Sequence, residues 1–116
     1  AIERLSILAL MAALRILQLK EGRDDETRSA DIAFAKPQQQ CLQQLAPKLQ
    51  GRTRKQQNPF ASGSLPWAAW LIARLGGWSG YRSQSPPGIR TFSQGLRKFE
   101  AIFEGWSLAK DQFVCT

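Results

Sequence analysis

No histidine occurs in the 116 residues, which removes the commonest zinc ligand and the commonest general base. Cysteine is scarce as well. Cys41 and Cys115 stand too far apart for any metal or redox motif, and they read as reduced thiols of a cytoplasmic chain. Long apolar runs are missing: the uncharged stretch Leu5 to Leu14 holds ten residues before Arg15 interrupts it, where a membrane span needs ~20. Glu3 beside Arg4, and the lack of a small-residue cleavage site, exclude a signal peptide. No Ser/His/Asp set, glycine-rich phosphate loop or Cys/His cluster is present, so no catalytic or metal site is expected. The contiguous acids Asp24, Asp25 and Glu26 cannot all face one ion from a regular element and read as a solvated turn.

The absence with the widest consequence is local. From Ile32 to Phe99 there is no carboxylate, while ten lysines and arginines fall in that span and the chain as a whole carries a formal charge of +7. Such segregation makes a field that favours a polyanion, most simply the phosphates of DNA or RNA. At this length the chain is one domain or a piece of a larger protein. Beginning at Ala1 within a helical pattern, it is expected to be a fragment or a processed product.

What is present is organised around Ser64 to Trp78, SLPWAAWLIARLGGW. Ser64 can cap a helix whose first turn tolerates Pro66, and Gly76 and Gly77 can end it in the left-handed conformation. Trp67, Trp70, Leu71, Ile72 and Leu75 leave that helix almost no polar side, so other elements must pack around it. Arg74, its single charge, is expected to carry its head out of the core or to meet Glu100 or Glu104. Ile2 to Glu21 reads as a strongly apolar helix that needs a larger partner than this chain supplies. Glu21 to Ala30 reads as a linker or frayed end. Pro37 to Leu49 predicts a short helix, broken or kinked at Pro47, with a solvated glutamine face. Gly51 to Ser62 reads as an exposed basic loop and Gly77 to Arg90 as a second loop stiffened by Pro86-Pro87. Thr91 and Gln94 fit a capping box opening a last helix to about Phe113.

Several of these stretches, Gly63-Ser64-Leu65-Pro66-Trp67-Ala68, Ile72 to Trp78, Gly88-Ile89 and Phe103 to Asp111, resemble the C-terminal region of bacterial cut-and-paste insertion-sequence transposases. Glu3-Arg4, Ile7-Leu8 and Arg15 to Glu21 are similar to the helix following that family's catalytic glutamate. The family is of the DDE class, with a ribonuclease-H-like core and a separate helical dimerisation domain. The resemblance implies an all-α fold of three or four helices, the first of them normally packing on the absent catalytic core. It divides the chain into residues 1–22 as the end of that core, 23–62 as linker, short helix and basic loop, and 63–116 as a helical dimerisation domain.

The function so implied is to hold two protomers and two transposon ends in a synaptic complex, as a homodimer or with full-length transposase. The family's two aspartates and glutamate, which hold Mg2+ in the parent enzyme, have no counterpart here, so this chain alone is expected to be no enzyme and to need no cofactor. Two other readings stay open: a small basic helical nucleic-acid-binding protein, and a truncated form that inhibits transposase by mixed dimerisation. The DNA contacts expected are Arg52, Arg54 and Lys55 in the first loop, with Arg82 and Arg90 in the second.

The last helix separates into two faces at 100° per residue. Phe92, Leu96, Phe99, Phe103, Trp106 and Phe113 form a core-facing stripe. Ala101, Gly105 and Ala109, flanked by Ile102 and Leu108, lie opposite. Because a helical glycine costs about 1 kcal/mol against alanine, Gly105 wants a reason, and close approach of a second copy supplies one. The resemblance to the transposase family puts the dimer contact on this same helix, and these five residues are the contact it implies.

Overall fold

The computed structural model describes residues 2–51, 57–80 and 85–114. They form four α-helices in the order α1 (Ile2–Gly22), α2 (Lys36–Leu49), α3 (Leu65–Leu75) and α4 (Ile89–Val114), with a 3-10 turn at Ala30–Ile32 before α2. No strand occurs among the described residues, so the expected all-α architecture is observed.

Helix α3 is the buried axis. Every residue from Leu65 to Ala73 is buried, as an uncharged run without a polar face requires. Ser64 caps it, its Oγ accepting from the Trp67 N–H at 3.3 Å. At the other end Trp78 N–H donates to Ala73 O (3.0 Å) and Gly77 N–H to Arg74 O (3.1 Å), a Schellman closure around Gly77 at φ +96°. Gly76 is at φ −79° and serves another purpose. A Cβ there would strike the Thr91 carbonyl, and one at Gly95 the Ile72 carbonyl. One glycine from each helix thus lets α3 and α4 cross backbone to backbone.

Phe92, Leu96 and Phe99 cover α3 from one side, and Phe34 meets Phe99 edge-on at 5.7 Å. Trp67 and Trp70 are buried core residues, and Trp78 packs edge-on against Trp70. Helix α2 adds Cys41 and Leu42, and α1 adds Leu19.

The segment expected as a linker is better ordered than its composition suggests. Ala30 N–H donates to Gly63 O and Leu65 N–H to Arg28 O, both at 2.8 Å, tying this segment to the entrance of α3. Ala30, Ala33 and Phe34 are buried beyond it. Asp25 closes the acidic turn by accepting from Thr27 and pairing with Arg28 at 3.1 Å. Its carboxyl is held below the usual range chiefly by the Thr27 hydroxyl, with no metal-binding group of acids among the described residues.

Three further expectations are corrected. Helix α2 is not broken at Pro47: it runs on through that residue and ends at Leu49. Its glutamine face is not merely solvated. Gln39 is buried and donates to Asp31 Oδ1 (2.7 Å) and Phe34 O (3.0 Å), while Gln44 accepts from the Trp106 indole at 2.9 Å. Thr91 does not cap α4: the helix begins at Ile89, and Gly88 O accepts from the Phe92 N–H at 3.1 Å.

Most of the α1 side chains whose burial is described have no cover from the other described residues. Leu19 and Gly22 are buried, while Leu10 is 70% exposed and Ile7, Met11, Leu14 and Leu17 share its open stripe. The Cα radius of gyration, 14.6 Å, exceeds the ~13 Å of a close-packed chain this long, as such an outlying helix requires. No helix among the described residues is long and apolar enough to cross a membrane.

Candidate functional site

Helix α4 carries the candidate site, and the elements around it fix which way it faces. Phe92, Leu96 and Phe99 are sealed into the core, with Phe103 and Trp106 half-buried behind them and stacked at 5.8 Å. Side chains of α2 grip the C-terminal half. Gln44 takes the Trp106 N–H, and Gln40 takes the Lys110 ammonium at 3.1 Å while that ammonium lies 5.0 Å over the Trp106 ring. From α1, Arg15 reaches Glu100 at 3.5 Å and stacks over Phe34. The Glu100 end of that pair is mostly in water, so it orients more than it stabilises.

The opposite face is thereby left to solvent. Ala101, Ile102, Gly105, Leu108 and Ala109, the expected dimer contact, are all exposed, Leu108 to 60%. Among the described residues nothing lies within 4 Å of where a Gly105 Cβ would stand, so no described neighbour explains this glycine. Gly95, by contrast, is explained completely by Ile72.

The expected DNA contacts fare unevenly. Arg52, Arg54, Lys55 and Arg82 lie outside the described residues, as does Tyr81. Arg90 is exposed, but it stands in the first turn of α4 and not in the preceding loop. The first loop is not exposed throughout: Asn58 donates to Trp67 O at 3.1 Å and Phe60 packs on the core.

Sequence reasoning passed over Arg97 and Lys98. Both are exposed, and the wheel arithmetic that separated the two faces would have placed them beside Arg90. It also misassigned Arg74. This guanidinium meets no acid among the described residues; it donates to Leu49 O at 2.9 Å and Trp78 O at 2.8 Å, clamping the end of α2 to the end of α3. Glu100 was unavailable because Arg15 holds it.

Cys41 is a buried thiol whose ionisation burial pushes up, which suits a packing residue and not a nucleophile. No family model, no curated protein and no solved structure matches the chain.

Proposed function

We propose that this chain is the dimerisation and DNA-contact region of a DNA transposase, holding two protomers and their transposon ends in one synaptic complex. The supporting observation is the outward face of α4. A 26-residue helix is gripped on its inner side by three other helices and carries small residues on its outer side, with no neighbour at Gly105 among the described residues. Small residues let two helix backbones approach, and a two-fold axis through Gly105 would bring Ala101 of one copy against Ala109 of the other.

Charge favours an antiparallel pairing. In a parallel pair Arg90, Arg97 and Lys98 would face their own copies, whereas the antiparallel pair carries them to opposite ends. The exposed stripe of α1 fits the same reading. Ile7, Leu10, Met11, Leu14 and Leu17 would be covered by the parent's ribonuclease-H-like core, and the chain would supply no catalysis of its own.

A cysteine placed on the axis tests the pairing. In a Cys115→Ser background, Gly105→Cys is expected to cross-link into a dimer on mild oxidation, because a disulfide needs Cα atoms within about 7 Å. Lys48→Cys, exposed on α2, is the control. Cross-linking at Gly105 no faster than at the control would remove the two-fold contact.

A further inference from the structure

We infer that Arg90, Arg97 and Lys98, with Gln94 between them, form a phosphate-contacting face for duplex DNA on the first half of α4. This deepens the DNA-contact part of the function just proposed and rests on it.

At 100° per residue the four side chains fall within a sector about 100° wide, opposite the Phe92, Leu96 and Phe99 stripe. All four are exposed. Neither arginine nor the lysine has an ion pair among the described residues, where Arg15, Arg23, Arg28 and Lys36 each meet a carboxylate. Glu100, the acid nearest to Arg97 in sequence, is engaged instead by Arg15 of α1.

The geometry suits a backbone. Eight residues of helix advance about 12 Å, the axial length of some three to four nucleotides along one strand at 3.4 Å each. Gln94 offers a neutral donor between the cations, as phosphate-contacting surfaces commonly do. The mounting is firm, since Gly95 seats this part of α4 on α3 and Arg23 anchors its entry by donating to Pro87 O at 2.7 Å.

Two other occupants fit less well. An anionic membrane surface would need an apolar side to insert, and the Phe92, Leu96 and Phe99 stripe of this half-helix is sealed in the core, with Ile89 half exposed at its tip. A second copy of the same face would set like charges together.

The test uses the full chain and a fluorescein-labelled random-sequence 30-base-pair duplex, with affinity measured by anisotropy across a salt series. Arg97→Ala/Lys98→Ala is expected to lower the slope of log K against log salt by about 1.8, two contacts at ~0.9 each, and to weaken binding at low salt about tenfold or more on any sequence. Lys36→Ala/Lys48→Ala, which removes two cations on α2, should change the slope by less than half as much. Circular dichroism checks folding, and Arg97→Gln/Lys98→Gln replaces the alanine pair if that pair misfolds. Wild-type binding with an unchanged slope in the variant overturns this face while leaving DNA contact by the chain intact. Wild type that does not bind the duplex at low salt overturns both. Tighter binding to phosphatidylserine vesicles than to duplex, lost in the same variant, would make the face a lipid site and contradict the inference.

Discussion

Gly95→Val is expected to leave the chain without its native fold. The Cβ alone would overlap the Ile72 carbonyl and crowd the Ile72 side chain, and valine adds two methyl groups in the same place. Ile72 O cannot retreat, because it accepts the Gly76 N–H at 3.0 Å and lies in the fully buried part of α3. Forcing α4 away would unseat Phe92, Leu96 and Phe99 together. Overpacking typically costs 1–3 kcal/mol, and a backbone overlap without room to relax exceeds that, against roughly 5–15 kcal/mol for a whole domain. Gly95→Ala recovers about 1 kcal/mol of helix propensity but keeps the overlap, so it should fold with a clearly lowered melting temperature. Thermal circular dichroism at 222 nm, with near-ultraviolet signals from Trp67 and Trp70, reads both variants. A valine variant that melts like wild type would show that the two helices do not meet through these glycines.

Arg74→Ala is expected to destabilise the chain by about 3–6 kcal/mol, since a hydrogen bond from a charged donor contributes ~1.5–3 and two are lost. The guanidinium bridges Leu49 O and Trp78 O, lies about 6.0 Å from the Trp70 ring, and runs its stem beneath Gly80. Removing it strips both carbonyls of their donor and opens a gap beside Trp70. Arg74→Lys should recover only part of the loss, because one ammonium on a single-ended stem cannot match a planar fork aimed at two carbonyls. Urea unfolding followed by tryptophan fluorescence gives the three stabilities. Equal values for arginine, lysine and alanine would mean that Arg74 only lies on the surface.

The parts of this fold that could be read from sequence are those written in repeated positions. Ser64, Pro66 and the glycine pair bracket α3 because capping chemistry is local, and the core stripe of α4 follows from one angular rule. The segment from Arg23 to Phe34 was opaque for the opposite reason. Ala30, Ala33 and Phe34 are buried where Ala30 N–H donates to Gly63 O and Leu65 N–H to Arg28 O, contacts without any period along the chain. Thr91 and Gln94 matched a capping box three residues too late, since Gly88 already supplies the first carbonyl of α4.

The candidate site shows how far one argument reaches when applied evenly. A glycine inside a helix wants a reason, and Gly95 and Gly105 both qualify. Inside the chain the structure answers for Gly95 and leaves Gly105 open. Arg74 was set against the wrong partners because its carbonyl acceptors are backbone atoms, which a sequence does not display.

The measurement that tests the central claim most directly is molar mass by light scattering over a concentration series, for wild type and for Gly105→Glu, with circular dichroism as the folding control. The dimerisation reading predicts a wild-type mass that rises from 13.0 kDa toward twice that value as concentration increases, and a glutamate variant that stays monomeric and helical. A wild-type chain that remains at the monomer mass at high concentration, or a folded glutamate variant that dimerises as strongly as wild type, would contradict it.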